Sequence, residues 1–358
     1  MRFVLIFRHT IIYVFLSVFV EDAFCGCGCD GNRKNSLTNT ISQRSLFYQN
    51  IISQDTCSNV NFQYSNMTLI PTGIYEIGTD KRYLLVDKEP LVTNVSLKSF
   101  YIDKYEVTNR QFNEFVKATK YVTEAEKFGD SFVFKSFLRP ETQKQYKDFR
   151  VVGSPWWYKI PLANWFQPEG TGSNINSPDR WDHPVVHISW NDAVSYCKWR
   201  NGSLPTEHEW EIACKGKKRN KLYPWGNKLV PQGKHRMNVW QGQFPHHNTK
   251  EDGWVGTSPV GTYPANDFNI FDITGNVWEW TSDLWDPHNP KVRRHVWHTK
   301  CCNVCILSDI FQSNERVKKG GSYLCHESYC NRYRCSARSQ NTADSTAGNL
   351  GFRCCLHP

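Results

Sequence analysis

Fourteen cysteines in a chain of 358 residues are the feature that most restricts how this protein can fold. Disulfides persist in oxidising compartments, whereas cytosolic thiols are kept reduced. Three Asn-x-Ser/Thr sequons, at Asn66, Asn94 and Asn201, agree with a compartment in which proteins are glycosylated. The pattern therefore favours a protein of the secretory pathway and disfavours the reducing cytosol.

The N-terminal residues 1–22 have the pattern of a signal peptide. Arg2 and Arg8 are followed by an apolar stretch, residues 11–20, that is too short to span a bilayer comfortably. Glu21 and Asp22 make an awkward cleavage junction, so an uncleaved anchor stays open as the alternative. The chain ends in Cys-Leu-His-Pro, which is not a retrieval signal of the Lys-Asp-Glu-Leu kind. We expect a mature chain without a membrane span, in the lumen of the endoplasmic reticulum or secreted.

Two regions follow the signal segment. Residues 23–65 are polar and form an extension that begins with a cluster of three cysteines. Residues 66–358 contain no linker and no internal repeat, and we interpret them as one domain. A hydrophobic share of 39% can build a sizeable core, and 14 Trp with 22 Gly favour short elements and tight turns.

The net charge of +9 does not indicate a nucleic-acid partner. Lys and Arg are spread along the chain without a run of five or more. We therefore expect no nucleic-acid binding.

The apolar pattern predicts strands over residues 70–78 and 92–101, where apolar residues alternate or cluster between turn formers. Beyond Cys214 no segment keeps a helical period for three turns. The C-terminal half should therefore be mostly irregular.

Three helix starts are visible. Thr108 and Thr206 each have a Gln or Glu three residues later, which is a capping box, and another helix begins near Ser189. The second and third helices should present Cys197 and Cys214 inward.

Near the C-terminus, Cys325, Cys330 and Cys335 are spaced five residues apart. Ordinary disulfide bonding is one explanation. The other is that Cys325 and Cys330 converge as thiolates, which are soft ligands for Cu(I) or Zn(II), with His326 and Glu327 as further candidate ligands. Structural zinc sites usually have cysteines two to four residues apart, so the spacing does not match them. A rival cluster is formed by Cys301, Cys302 and Cys305.

Several motifs resemble the formylglycine-generating enzyme family, also called the sulfatase-modifying factor family, and the resemblance covers residues 69–354. The motifs are residues 186–193 (Val-His-Ile-Ser-Trp-Asn-Asp-Ala), 204–211 (Leu-Pro-Thr-Glu-His-Glu-Trp-Glu), 223–227, 238–242, 275–283 (Gly-Asn-Val-Trp-Glu-Trp-Thr-Ser-Asp), 320–335, 337–342 and 349–354. Some of them are shared by a wider superfamily. The pair Cys325 and Cys330 is more specific, because non-catalytic paralogues of the family lack it.

The resemblance implies an α+β fold, a single compact domain with little regular structure that is related to C-type lectin-like folds. It also implies a copper-dependent oxidase, which uses dioxygen and a thiol reductant to convert the cysteine of a Cys-x-Pro-x-Arg motif in unfolded sulfatases into Cα-formylglycine. Cys325 and Cys330 would bind Cu(I). Ser322 and Tyr329 would orient oxygen or substrate, and Trp278 would line the oxygen pocket. Turn packing for Ser322 and Tyr329, and a core position for Trp278, are the structural alternatives.

The same resemblance implies two disulfides, Cys197–Cys354 and Cys214–Cys335, and two Ca²⁺ sites. The first Ca²⁺ site matches Asn238, Val239, Asp252 and Trp254, and the second matches Asp272, Gly275, Val277 and Glu279. Oxygen ligands from side chains and main chain suit this ion.

The N-terminal Cys25, Cys27 and Cys29 resemble a family feature that forms mixed disulfides with thiol chaperones of the endoplasmic reticulum, although disulfides within the cluster would also explain them. The partners of Cys57, Cys355 and the cluster at residues 301–305 are not assigned. Two other functions stay open: a non-catalytic sulfatase-binding paralogue, and a disulfide-rich lectin-like module.

Overall fold

Short strands arranged in small sheets make up most of the regular structure. The computed structural model describes residues 66–286 and 314–358, and within them fourteen strands form five sheets. The strands are β1 Met67–Ile70, β2 Gly73–Ile77, β3 Thr93–Leu97, β4 Phe100–Asp103, β5 Asp130–Phe134, β6 Arg150–Val151, β7 Ser154–Pro161, β8 Gly242–Gln243, β9 His247–Asn248, β10 Trp278–Leu284, β11 Glu315–Lys319, β12 Ser339–Thr342, β13 Leu350–Gly351 and β14 Cys355–Leu356.

Two of the sheets join distant parts of the chain. In the first, β4 lies between β1 and β14, antiparallel to both. The second has the order β12-β11-β10-β13, in which β10 and β13 are parallel. The remaining sheets are β2-β3, β5-β7-β6 and β8-β9. The C-terminal strands β13 and β14 therefore pair with strands formed much earlier in the chain.

The strand predictions were right in type but wrong in continuity. Residues 70–78 do not form one strand, because β1 ends at Ile70 and β2 begins at Gly73. Pro71 lies at this break, and proline has no amide hydrogen with which to continue a ladder. Residues 92–101 divide in the same way into β3 and β4, which pair with β2 and β1 respectively.

The predicted helix starts are confirmed. Thr108, Ser189 and Thr206 are N-caps, and each side chain accepts a hydrogen bond from the backbone three residues on. The sequence analysis missed two short helices, although Thr123 and Glu126 form a capping box visible in the sequence. The helices are α1 Asn109–Thr119, α2 Glu124–Phe128, α3 Pro140–Gln145, α4 Trp190–Trp199 and α5 Glu207–Lys215.

The C-terminal half is irregular, as predicted. After α5 the described residues contain strands and turns, and their one helical segment is the 3₁₀ turn Pro231–Gly233. None of the helices in the described ranges is both long and apolar enough to cross a membrane.

Two disulfides connect inward-facing helices to the C-terminal segment. Cys197 on α4 bonds Cys354 with an S–S distance of 1.98 Å, and Cys214 on α5 bonds Cys335 at 2.01 Å. These are the two pairings that the resemblance implies. They close separations of 157 and 121 residues, which constrains the unfolded chain strongly.

Several expectations fall on parts of the chain outside the described residues. They concern the signal segment 1–22, the extension 23–65 with Cys25, Cys27, Cys29 and Cys57, and the cluster Cys301, Cys302 and Cys305. They stay predictions.

Candidate active site

A narrow cavity brings together the five residues expected in the active site. Its volume is about 10 Å³, about what one water-sized molecule needs. The predicted residues that line it are Trp278, Ser322, Cys325, Tyr329 and Cys330. Five further lining residues were not predicted: Trp156, Trp157, Phe244, Leu324 and Asn349.

Cys325 and Cys330 both reach this cavity from one run of tight turns. The Cys325 amide donates to the Ser322 carbonyl at 2.8 Å, and the Cys330 amide donates to the His326 carbonyl at 2.7 Å. These local bonds fold the five-residue spacing back on itself. Both side chains are thiols and almost fully buried, and the two disulfides of the described residues are made by other cysteines.

The donor set fits Cu(I), because thiolate sulfur is the soft ligand that this ion prefers. The backbone amide of Ser322 lies 3.4 Å from the Cys325 sulfur and donates to it. Amide donation to sulfur stabilises the thiolate relative to the thiol. Neither His326 nor Glu327 lines the cavity; His326 Nδ1 instead lies 2.8 Å from Ser328 Oγ, and Glu327 is exposed. Neither side chain therefore lies among the groups that could hold a metal ion in this cavity.

Ser322 is held by two donors. Its Oγ atom accepts hydrogen bonds from Asn349 Nδ2 at 3.0 Å and from the Leu324 amide at 3.3 Å. A serine hydroxyl accepts twice and donates once, so the remaining capacity of Ser322 is its proton. This geometry makes Ser322 a positioned hydrogen-bond donor.

Trp278 is buried beside the thiols. Its indole Nε1–H has no acceptor among the described residues. A buried donor left unsatisfied costs about 1–3 kcal/mol unless a ligand or water accepts from it. Trp278 thus belongs to the hydrophobic core, which was the structural alternative for this residue, and it also lines the cavity.

Aromatic rings close one side of the cavity. Tyr329 stacks on Phe244 with ring centroids 4.4 Å apart, and Trp156 meets Tyr329 edge-on at 4.9 Å. Trp156 comes from β7, whereas Phe244 lies in the turn between β8 and β9. Because these rings come from separate parts of the chain, spacing in the sequence does not reveal them.

Two buried ion pairs fasten the segment after Cys330. Arg332 binds Asp87 through Nε at 2.6 Å and Nη2 at 2.8 Å. Arg334 binds Glu89 in the same two-pronged manner. Paired N–H···O bonds of this kind hold a guanidinium in one orientation, so residues 85–89 support the thiol-bearing turns.

The first expected Ca²⁺ site is partly assembled. The Val239 carbonyl and the Asp252 carboxylate both accept from Gln241 Nε2, so these two oxygens face a common point. Asp252 also accepts from the Trp254 amide at 3.0 Å. The amide nitrogen of Asn238 is turned toward the Gly256 carbonyl and Asn276. Gln241 is a neighbour that the sequence analysis did not single out.

The second expected Ca²⁺ site contains buried carboxylates. Glu279 binds Arg353 through two bonds of 2.7 Å, and Asp272 accepts from the Gly261 amide. Glu106, which was not predicted, is buried in the same group. Burial raises the pKa of Glu106 well above its usual range, and the charges of Asp272 and Glu279 raise it further.

Backbone geometry connects the residues of the two expected Ca²⁺ sites. Gly275 has φ of +80°, and a Cβ atom there would lie 2.4 Å from the Asn238 carbonyl oxygen. Only glycine tolerates such an approach at this backbone conformation. Val277 donates its amide to Glu106 at 3.3 Å. An excess of carboxylates over guanidinium groups, with nearby main-chain oxygens, fits a divalent cation of the Ca²⁺ type.

Comparisons with known proteins agree with this architecture. A profile of the sulfatase-modifying factor enzyme 1-like domain matches residues 53–358. The formylglycine-generating enzyme of Mus musculus is 50% identical over 290 residues, which are 81% of this chain and 74% of the mouse protein. A second mouse protein, inactive C-alpha-formylglycine-generating enzyme 2, is 41% identical over 291 residues, which are 80% of this chain and 84% of that protein.

A solved structure supports the fold. PvdO from Pseudomonas aeruginosa aligns with a TM-score of 0.54 at 20% identity, covering 82% of this chain and 94% of that chain. The expected α+β fold with little regular structure, related to C-type lectin-like folds, is confirmed. With a family profile over most of its length and a relative at 50% identity, the chain belongs to the formylglycine-generating enzyme family.

Proposed function

We propose that this chain is a copper-dependent oxidase that converts the cysteine of the sulfatase motif Cys-x-Pro-x-Arg into Cα-formylglycine. One observation carries the proposal: Cys325 and Cys330 line the same narrow cavity as Ser322, Trp278 and Tyr329. The mouse formylglycine-generating enzyme supports the activity by its name and its 50% identity. Family membership alone does not decide it, because an inactive relative is 41% identical.

Cys325 and Cys330 would hold Cu(I), and the ion, when bound, would supply the activation of dioxygen. The protein contributes the surroundings. Burial of both sulfurs keeps bulk water from the reacting atoms, and the aromatic wall of Trp156, Phe244 and Tyr329 makes the cavity apolar.

Two polar groups are placed to act on an occupant of the cavity. The Ser322 hydroxyl has a proton to donate, since Asn349 and Leu324 occupy its lone pairs. The Trp278 indole N–H is a second donor without an acceptor among the described residues. Donors fixed before the reaction stabilise developing negative charge without reorganisation, which is the role we propose for both.

The overall reaction balances with a thiol reductant. The β-carbon of the substrate cysteine loses two electrons, two reductant thiols lose two more as they form a disulfide, and dioxygen accepts all four to form water. The oxidised substrate side chain is a thioaldehyde. Water hydrolyses it, so the bond between carbon and sulfur breaks and the sulfur leaves as hydrogen sulfide. The products are the aldehyde, hydrogen sulfide, one net water and one disulfide.

The direct test is turnover of a Cys-x-Pro-x-Arg peptide with Cu(I), oxygen and a thiol, followed by detection of the aldehyde as a hydrazone. We expect wild-type protein to form the aldehyde, and Cys325→Ser and Cys330→Ser to lower turnover by more than about 100-fold, since even changes around a metal's ligands cost 10–100-fold. Ser328→Ala is the matched control, because this exposed residue of the same turns does not line the cavity. Full activity in Cys330→Ser, or no aldehyde from wild type at any copper loading, would contradict the proposal.

The second candidate is a non-catalytic sulfatase-binding paralogue, favoured by the relative named inactive. A non-catalytic paralogue would bind the peptide, as measured by fluorescence anisotropy. In the aldehyde assay, however, it would leave the peptide unconverted at every copper loading. The two candidates therefore give opposite results with wild-type protein.

We further propose that the chain works in the lumen of the endoplasmic reticulum, where unfolded sulfatases are available and Cys25, Cys27 and Cys29 meet thiol chaperones. Cysteine number and sequons support this location. Trapping of mixed disulfides by acid quenching, followed by mass spectrometry, tests the chaperone contact, and an absence of such adducts in cells would contradict it.

A further inference from the structure

Three side chains with metal-binding atoms meet beneath the C-terminal tail, apart from the cavity described above. A carboxylate oxygen of Glu209, the sulfur of Cys355 and a ring nitrogen of His357 all lie within 4.8 Å of one another. His357 Nε2 is 2.7 Å from Glu209 Oε1. Cys355 is a thiol in the core that surrounds Trp210, whereas Cys325 and Cys330 belong to the other large core cluster.

The arrangement follows from strand geometry. Cys355 begins β14 and His357 follows directly after this strand, and residues two positions apart point to the same side of an extended chain. The backbone of Cys355 is fixed by two hydrogen bonds with Ser203, of 2.8 and 2.9 Å. The neighbouring Cys354 is bonded to Cys197. The thiol therefore has a fixed position.

Glu209 supplies the third group from another element. It lies in the first turn of α5, where Oε2 accepts from the Thr206 amide at 2.8 Å as part of the capping box. That contact orients the carboxylate and directs Oε1 toward His357. The helix cap thus places one carboxylate oxygen beside the thiol and the imidazole.

We propose that Glu209, Cys355 and His357 bind a Zn²⁺ ion. Thiolate sulfur, imidazole nitrogen and carboxylate oxygen are the ligands of protein zinc sites, and three protein ligands leave a fourth position for water. Zinc–ligand distances of about 2.0–2.3 Å place ligand atoms roughly 3.3–3.8 Å apart in a tetrahedron. When zinc binds, the distance between His357 Nε2 and Glu209 Oε1 must therefore increase from 2.7 Å by less than about 1 Å.

The tail permits this adjustment. The side chain of His357 is half exposed, and its ring stacks on Phe100 with centroids 6.1 Å apart. Glu209 and Cys355 are buried and fixed. The imidazole is thus the ligand that can adjust its position when an ion binds.

The test uses the mature chain with Cys325→Ser and Cys330→Ser, so that the active-site thiols cannot bind metal. After treatment with a chelator and dialysis against Zn²⁺, we expect plasma mass spectrometry to find about one zinc per chain more than in the same chain with Cys355→Ser added. Co²⁺ in place of Zn²⁺ should give a thiolate-to-cobalt charge-transfer band in the near ultraviolet. Neither measurement depends on oxidase activity, so the test of the zinc site is independent of the proposed function.

His357→Ala is the deciding variant, because it changes an exposed tail residue and leaves the core intact. We expect it to weaken zinc binding at this site by more than about 10-fold, and Cys355→Ser to reduce the cobalt band by the contribution of this one thiolate. His247→Ala, at another exposed histidine, should leave both unchanged. Equal zinc affinity in His357→Ala and the parent, or recovery of Cys355 in a disulfide-linked peptide, would overturn the proposal.

Discussion

Asn349 donates a hydrogen bond of 3.0 Å from Nδ2 to Oγ of Ser322, and its carbonyl accepts from the Trp278 amide at 2.9 Å. One residue thereby connects the two polar groups that we propose act on an occupant of the cavity. Asn349 precedes β13, whose parallel pairing with β10 brings Leu350 opposite Trp278. The position of Ser322 relative to Trp278 thus depends on the register of this sheet.

Asn349→Ala should lower turnover of the sulfatase peptide by about 10-fold or more, because a positioned donor is worth that much in transition-state stabilisation. The lost hydrogen bond should also cost about 1–3 kcal/mol of stability. Asn266→Ala is the control, since Asn266 bonds the Ala213 and Cys214 carbonyls away from the cavity. Steady-state kinetics would measure the effect on turnover, and urea unfolding would measure the effect on stability. If Asn349→Ala kept the kcat of the wild type, the hydrogen bond from Asn349 to Ser322 would not be needed for turnover.

Tyr329→Phe removes the hydroxyl but keeps the stack on Phe244. If Tyr329 orients oxygen or substrate, kcat should fall by about 10-fold or more. Phe244→Ala opens the aromatic wall and should chiefly raise KM. An unchanged kcat in Tyr329→Phe, together with a defect in Phe244→Ala, would assign Tyr329 to packing alone.

Ca²⁺ should stabilise the fold through the carboxylates of Asp252, Asp272 and Glu279. At a concentration 100 times its Kd, a bound ion contributes about 2.7 kcal/mol. Melting in 1 mM Ca²⁺ against EGTA measures this difference. Glu106→Gln, which removes a buried carboxyl that a bound Ca²⁺ would ionise beside Asp272 and Glu279, should reduce the Ca²⁺-dependent increase in Tm. Glu114→Gln, at an exposed position of α1, should not. A Tm that does not respond to Ca²⁺ would rule out both sites.

The contribution of Glu124 to stability should be lost as the pH rises from about 4.5 to about 7. Burial, and then the charge of Asp192, raise the pKa of Glu124 from 4.5 to about 7. Asp192 accepts from the amides of Glu124 and Ser189 and from the Tyr121 hydroxyl, which favours its ionised form, so we assign the proton to Glu124.

The folded state binds this proton more tightly than the unfolded state does, so its contribution is lost as pH passes through that window. The loss should be roughly 1–3 kcal/mol. Glu124→Gln should flatten the curve measured by chemical unfolding between pH 4.5 and 8, and an unchanged slope in this variant would show that another group titrates.

Local chemistry was readable from the sequence because it involves residues a few positions apart. Capping at Thr108, Ser189 and Thr206 is a contact within one turn, so three helix starts were predicted correctly. The turns at Cys325 and Cys330 are also local contacts, although the sequence analysis did not predict them. The capping box at Thr123 is an equally local signal, and the helix that it begins could also have been predicted from the sequence.

Tertiary structure decided the rest. Trp156, Phe244 and Asn349 come from three separate parts of the chain, and only packing places them around the thiols. Glu106 likewise joins Asp272 and Glu279 across long stretches of chain. The sequence by itself determined where three of the helices begin, since capping is a short-range contact, and it indicated the groups that we propose for the chemistry. Which side chains surround those groups was decided by strand pairing and core packing, because such contacts join residues whose separation along the chain has no fixed period.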